Sequence, residues 1–475
     1  LTVPESVAEI CCDRLIECFR LCSEQIDGVE FLSIPEFHNA EEHIAARLCS
    51  VKRFINASVT VDKLEIENVE NRLGIQFEDL QRRAIFEAFE SGILVLTGGP
   101  GTGKSLIQRA ILDIYKKKYP GKTICLCAPT GKAARRMCQA TGREASTVHK
   151  ALNLYASEDG SYGSAGQLEA DLILVDEVSM LDVYLALHLF KAVKEGAQLI
   201  LIGDSDQLPS VGAGSVLKDI IRSKKMPVVR LESVFRQAEV SPIVRNAHSI
   251  NRGRMPEFTD NNEFKLEEFA NEVAAAEHVA RTYAEMAAAS DWRSVQVLSP
   301  MHKNPCGVQN LNKILQQYIN PPSSNKAEVN IPGNVLRLGD KVMQIKNNYE
   351  KEVFNGDIGR VVRVEGKAVT VAYPERPEGD YVSYVQSELE ELQLAYAMSV
   401  HKSQGSEYPN VILVMVPSHY IMLQRNLLYT AVTRAKKQVL LVGTKAAVRT
   451  AVENDKTRRR YSLLAERLQE SSDIF

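Results

Sequence analysis

The chain has no apolar run near the about 20 residues that a membrane-crossing helix needs. Its first residues carry Glu5, Glu9 and Asp13 where a secretory leader would be basic and then apolar. It has no excess of positive charge: 57 Lys and Arg stand against 60 Asp and Glu, a net charge of −3. That excludes a polycation but not a nucleic-acid motor, which needs a local basic groove and not a basic total. No Cys-x-x-Cys pair and no adjoining His pair completes a zinc pattern among the nine cysteines. Cys125 and Cys127 alternate in a strand-like run, and Cys11, Cys12, Cys18 and Cys22 crowd one helical segment, with Cys18 and Cys22 on a shared face. They read as reduced thiols of a cytoplasmic protein, with a helical metal site as the alternative. No fixed-period repeat is visible. The chain starts at Leu1 and not Met, so residues upstream are expected to be missing.

Hydrophobic and charged contents of 45% and 25% are those of a soluble globular protein. A length of 475 residues is too great for one ordinary core, so about two to four domains are expected.

Gly98-Gly99-Pro100-Gly101-Thr102-Gly103-Lys104-Ser105 fits the P-loop pattern at every position. It follows the apolar run 93–96, which reads as a buried strand, and precedes an amphipathic run, 106–117, which reads as a helix. Glycines let backbone N–H groups face a phosphate, and the helix N-terminus adds partial positive charge. Lys104 is expected to reach the β- and γ-phosphates of ATP, and the Ser105 hydroxyl to ligate Mg²⁺. A second apolar run, 172–175, ends in Asp176-Glu177 and resembles a Walker B element. Asp176 is expected to hold Mg²⁺ and Glu177 to polarise the attacking water, so the nucleotide is hydrolysed and not merely bound.

Strand runs at 93–96, 123–128, 172–175, 199–202 and 227–231 alternate with helices, the doubly wound α/β arrangement. Five segments are expected. A small helical domain, or the tail of a larger one, covers 1–75, with 3–66 helical. A first α/β domain, which carries the P-loop, covers 76–231. A second begins at 232–334, with a helix at 268–288 and a strand at 295–299. A β module of small-barrel type fills 335–388, with an Asn355-Gly356 hairpin turn. The second α/β domain resumes at 389–475, with strands at 394–397, 411–415 and 439–442 and helices at 401–406 and 425–433.

Taken together, the motifs from Gln81 to Lys437 resemble those of superfamily-one DNA helicases of the RecD-like, 5′→3′ type. The resemblance implies two RecA-like motor domains with an SH3-like insertion. It implies that Gln81 reads the adenine edge. Ala128-Pro129-Thr130-Gly131-Lys132 resembles motif Ia, and Ser146-Thr147-Val148-His149 the next strand-binding element, so Thr130, Thr147 and His149 would touch DNA; a capped core histidine is the alternative for His149. Gly203-Asp204-Ser205-Asp206-Gln207 resembles motif III, with Gln207 sensing the γ-phosphate. This run weighs against an RNA helicase. Val234-Phe235-Arg236-Gln237 and Tyr429-Thr430-Ala431-Val432-Thr433-Arg434-Ala435 resemble motifs IV and VI, making Arg236 and Arg434 arginine fingers. His401-Lys402-Ser403-Gln404-Gly405-Ser406-Glu407 resembles motif V. Gly405 and Glu407 would lie near the nucleotide, and His401 and Ser403 on the strand side. In the module, Lys341, Lys346, Asn347, Asn348 and Tyr349 would line the strand exit; a purely structural module is the alternative.

The segment 153–170, where the family carries a strand-separating pin, is short, with Tyr155 or Tyr162 as its aromatic wedges. The function implied is an ATP- and Mg²⁺-dependent motor in DNA repair or recombination, a monomer acting on single-stranded DNA and on duplex with a 5′ overhang. The alternatives are a partner-dependent subunit of a recombination nuclease complex and a DNA-stimulated ATPase that remodels protein–DNA complexes.

Overall fold

The computed structural model describes residues 3–26, 28–53, 61–154, 166–232, 241–259, 263–348, 350–374, 376–456 and 460–471. Arg236, Tyr349 and the wedges Tyr155 and Tyr162 lie outside the described residues. Within them the architecture is α/β, with two parallel sheets and one antiparallel module between segments of the second. No described helix is long and apolar enough to cross a membrane.

The first 66 residues are not helical throughout. Helix Glu5–Glu17 gives way to an antiparallel hairpin, β1 (Cys22–Ile26) and β2 (Val29–Ser33). Each strand is five residues of mixed polarity with no side chain fully buried, so its sequence leaves no apolar run to read. Cys22 therefore lies on a strand and Cys18 at the helix end, which removes the shared helix face expected of them. Part of 1–75 shares a core with the first sheet. Helix Pro35–Arg53 buries Ala40, Ile44 and Leu48 in the same core as Ile93, Val95 and Ile173.

The first sheet contains β3 (Ile93–Gly98), β4 (Ile124–Ala128), β5 (Ser146–Thr147), β6 (Leu172–Val175), β7 (Gln198–Gly203) and β8 (Val228–Leu231). All pairings are parallel, in the order β5-β4-β6-β7-β3-β8. Helices on both faces bury the central strands completely, which is why they read as unbroken apolar runs. The loops after β3, β6 and β7 therefore converge at one edge, where open α/β sheets bind ligands.

The second sheet contains β9 (Phe264–Glu268) and β10 (Val295–Ser299), and it is completed beyond the module. The helix expected from 268 starts at Glu272, because 264–268 is an edge strand pairing only with the strand Ala435–Gly443. An edge strand tolerates charge, and Lys265 and Glu267 here form an ion pair 2.7 Å long, so the segment lacks the apolar signature.

A hairpin, β11 (Glu328–Ile331) and β12 (Asn334–Arg337), precedes the module. The module's strands are β13 (Lys341–Gln344), β14 (Ile358–Glu365), β15 (Ala368–Ala372), β16 (Val382–Tyr384) and β17 (Leu392–Leu394), in the order β16-β15-β14-β13-β17. The Asn-Gly pair does not join two strands directly. It forms a turn late in the 345–357 loop, where the Asp357 amide donates to the Phe354 carbonyl at 2.9 Å and Gly356 takes φ 95°.

The single strand expected over 394–397 is two. Leu392–Leu394 closes the module against β13, and β18 (Ala397–Ser399) joins β10. Between them the Tyr396 hydroxyl donates to buried Asp340 at 2.9 Å, fixing the bend. β19 (Tyr408–Met415) and β20 (Ala435–Gly443) then complete the parallel order β18-β10-β19-β20-β9.

The C-terminal end leaves the second half. Helix Leu464–Ser471 packs on helices Pro35–Arg53 and Val216–Ser223 of the first. Ser462 donates to Glu41 at 2.7 Å, and Arg222 pairs with Glu466 at 3.1 Å. Apolar Leu463, Leu464 and Leu468 are buried there. The expected segment 389–475 thus divides between the two halves.

Candidate active site and strand groove

β3 delivers the loop 98–105 to the N-terminus of helix Lys104–Lys118. Gly103 sits at φ 88°, and a Cβ there would come within 2.6 Å of Gln81 Nε2, so the position demands glycine. Lys104 Nζ donates to the Gly98 and Gly99 carbonyls at 2.5 and 2.8 Å, and Thr102 Oγ1 donates to the Gly99 carbonyl at 2.9 Å. Ser105 and Gly101 are exposed on the loop, with Pro100 half-buried. Backbone amides at a helix start, a lysine and an exposed hydroxyl make a donor set suited to a phosphate chain.

Gln81 is 2% exposed, and its amide is committed within the protein. Nε2 donates to the Thr102 carbonyl at 2.8 Å, while Oε1 accepts the Glu78 amide at 3.0 Å. In this geometry Gln81 braces the phosphate loop from below.

β6 ends at Asp176. Its Oδ2 accepts from Gln108 Nε2 at 2.9 Å and its Oδ1 from the Glu177 amide at 2.8 Å. Burial, and then the neighbouring Glu177, raise the Asp176 pKa above its ordinary value. Glu177 adopts φ 54°, a left-handed conformation that costs a non-glycine residue about 1–3 kcal/mol and concentrates at functional sites. Its carboxylate lies 3.6 Å from Arg136 Nη1, which also reaches Glu407 at 3.2 Å.

The loop after β7 ties the two halves together. Asp204 is 2% exposed. It accepts from Gln207 Nε2 at 3.1 Å and from the Tyr429 hydroxyl at 2.7 Å. Burial raises its pKa and Lys104 opposes that rise. The Leu208 amide donates to Thr430 Oγ1 at 2.9 Å, and Gln404 Nε2 to the Leu208 carbonyl at 2.9 Å.

Arg434 is buried on the facing side. Its guanidinium donates to the Thr430 carbonyl, the Ser406 carbonyl and Thr433 Oγ1 at 3.1 to 3.2 Å. Burial lowers its pKa, and the charge of Glu177 acts against that, placing the two groups in one electrostatic field. His248, on helix Pro242–Asn251, lies against the loop. A Cβ at Gly99 would meet its Cε1 at 3.2 Å and the Tyr429 hydroxyl at 2.9 Å.

The strand-side residues fall at two neighbouring edges. Thr130 lies two residues past β4 and Thr147 is the last residue of β5, paired with Ala128, and each hydroxyl caps the next helix, accepting from the Ala133 and Lys150 amides. Burial lowers the His149 pKa below its ordinary value. His401 follows β18, where burial and His302 lower its pKa. Gly405 takes φ 70° with its backbone close to Thr130, so the two halves touch here.

Ser403 does not face a strand. It is fully buried, its hydroxyl donating to the Val400 carbonyl at 2.7 Å. Lys341 is likewise not at an exit. It is 3% exposed and donates to the Trp292 and Val295 carbonyls. In β13, which reads as lysine followed by apolar residues, the inward direction of this side chain carries no sequence signal. Asn348 is half-buried, holding Glu391 and the Lys351 amide.

No sequence motif assigns a role to Arg136, Gln108, His248 or Tyr429. Tyr429 stands inside the motif VI run and could have been found there. Arg136 and Gln108 each lie one helical turn or so beyond a recognised loop, at spacings shared by any helix.

Two parallel sheets facing one phosphate loop, with a buried arginine opposite, define a two-domain P-loop motor of the helicase type. An AAA domain model matches residues 76–273, the SH3 domain of ATP-dependent RecD-like DNA helicases 311–373, and the UvrD-like helicase C-terminal domain 394–442. The ATP-dependent RecD2 DNA helicase of Deinococcus radiodurans is 40% identical over 372 residues, covering 78% of this chain and 50% of that protein. The RecBCD enzyme subunit RecD of Mycobacterium tuberculosis is 31% identical over 414 residues, covering 79% and 70%. A Pif1 helicase structure, solved for unwinding at forked double-stranded DNA, shares the fold with a TM-score of 0.50 at 18% identity, covering 78% of this chain and 94% of that one. The chain belongs to the RecD-like DNA helicase family. It spans about half the length of the Deinococcus relative.

Proposed function

We propose that the chain is an ATP-dependent DNA helicase that translocates 5′→3′ on single-stranded DNA and unwinds duplex ahead of it, in DNA repair or recombination. Lys104 and the loop amides bind the phosphates of ATP. Ser105 and Asp176 are the residues that would hold Mg²⁺, which neutralises phosphate charge when bound. Glu177 orients and deprotonates the attacking water. Arg434, joined by Arg236, meets charge developing on the γ-phosphate as the halves close. Thr130, Thr147, His149 and His401 grip the strand at the adjoining edges, and Asn348 and Tyr349 serve its exit.

The observation that carries the reading is the set of bonds from the Asp204–Leu208 loop to Tyr429, Thr430 and Gln404. A loop beside the phosphate site is bonded directly to the half that must move. A change at the nucleotide therefore displaces one strand grip relative to the other.

The test is unwinding of duplexes with a 5′ or a 3′ overhang by the isolated chain. Unwinding from the 5′ overhang alone is expected. Unwinding from the 3′ overhang would overturn the polarity. ATP hydrolysis without unwinding would favour a partner-dependent motor, the arrangement named for its RecBCD-subunit relatives.

A further inference from the structure

A cavity of about 260 Å³ lies between helix Gly131–Thr141, the starts of β10 and β20, and the β module. Six cations line it: Lys132, Arg135, Arg136, Arg293, Lys341 and Lys436. Glu407 is the one carboxylate in its wall. Several of the cations are balanced: Arg135 by Asp357 at 2.6 Å, Arg293 by Asp291, Arg136 and Lys436 by Glu407. Lys132 and Lys341 have no ion-pair partner among the described residues.

Lys341 is the informative one. It is almost fully buried, and two backbone carbonyls satisfy two of its three N–H groups. Burial, and then the charge of Lys132, bring its pKa down to about 7. Asp291 attracts this buried ammonium without an ion-pair contact, so its burial stays costly, and an anion in this cavity would relieve that cost.

The cavity shares its wall with the phosphate site. Arg136 lines it and stands 3.6 Å from Glu177 on the other side. Glu407 and Ser406 line it as well, and the Ser406 carbonyl accepts from Arg434. The boundary between the two spaces is thus a side-chain ion pair, Arg136 with Glu177 and Glu407, and not a strand or helix backbone.

We propose that this cavity binds the inorganic phosphate released from the γ position of ATP, holding it after Arg136 moves off Glu177 and before it reaches solvent. The proposal rests on the ATP-hydrolysis reading above. Hydrolysis supplies the anion, as ATP and water give ADP and inorganic phosphate, and no further covalent step is involved. The cations supply charge-assisted donors for its oxygens.

The test is a titration of the full chain with inorganic phosphate, followed by ³¹P line broadening, in a Lys104→Ala background that disables the P-loop. Saturable binding is expected to persist in Lys104→Ala. It should weaken about tenfold or more when Lys132→Ala, Arg293→Gln or Lys341→Met is added, the effect of losing one charged donor. Lys132 and Arg293 are partly exposed, so these two variants report independently of the change in stability that Lys341→Met brings. In the unaltered P-loop background, the delay between phosphate formed on quenching and phosphate released to a fluorescent phosphate-binding protein should shorten in Lys132→Ala and Arg293→Gln.

Loss of all phosphate binding in Lys104→Ala would overturn the proposal. So would displacement of the phosphate by a single-stranded oligonucleotide whose own binding falls by the same factor in Lys132→Ala, since the cavity would then serve strand phosphates. Failure of the unaltered chain to hydrolyse ATP would sink the reading underneath. Hydrolysis with no phosphate bound in Lys104→Ala would sink this proposal alone.

Discussion

The Tyr429 hydroxyl donates to Asp204 Oδ2 at 2.7 Å, joining the second motor half to the first at a point where both residues are buried. The same carboxylate accepts from Gln207 Nε2, and the charge of Lys104 bears on it. One carboxylate thereby connects the phosphate loop, Gln207 and the helix that precedes Arg434.

Tyr429→Phe removes that donor and keeps the ring. Asp204 stays buried with one bond fewer, a loss of about 1–3 kcal/mol in stability. The melting temperature should fall. The ratio of ATPase rates with and without single-stranded DNA should fall with it, because the link between halves is cut. An unchanged ratio would remove Asp204–Tyr429 from the coupling path.

Gln81→Ala removes the bond to the Thr102 carbonyl and half of the capping box with Glu78. The phosphate loop loses its brace, and nucleotide binding should weaken by about 1–2 kcal/mol, roughly five- to thirtyfold. Titration with a fluorescent nucleotide measures this. Equal weakening for adenine and guanine nucleotides is expected of a brace; selective loss of adenine binding would instead assign Gln81 to the base.

Lys341 carries a pH signature. Its folded pKa of about 7 lies below the ordinary value of 10.5. Between those values the unfolded chain holds the proton and the folded chain does not. Stability therefore rises with pH across this window, and the burial cost is full below about pH 7 and gone above about pH 10.5. Lys132 and Asp291 are the charged groups that act on it. The gain in stability of Lys341→Met over the unaltered chain should be largest near pH 7 and shrink toward pH 10 in denaturant titrations. A pH-independent difference would contradict this.

The sequence showed what burial on two faces leaves behind. Leu172–Val175 in the structure matches the apolar run residue for residue, and Ile93–Gly98 extends its run by only two residues. The P-loop and Asp176-Glu177 were legible because their backbone chemistry restricts residue type. Phe264–Glu268 was not, since an edge strand pairs on one side and can carry Lys and Glu. The hairpin at 22–33 was hidden for a like reason: its strands are too short and too exposed to show a period. At the site, Arg136 reaches both Glu177 and Glu407 through tertiary packing alone, which no local pattern encodes. Lys341 and Ser403 were misplaced because a polar residue near a groove reads as facing it, whereas here both donate to backbone carbonyls inside the core.

The most direct test of the account is the ATPase rate with and without single-stranded DNA, measured beside Glu177→Gln. Strong stimulation by DNA is expected, with a fall of about 10²- to 10⁴-fold in the variant and nucleotide binding retained. A rate indifferent to DNA, or one that survives Glu177→Gln, would contradict it.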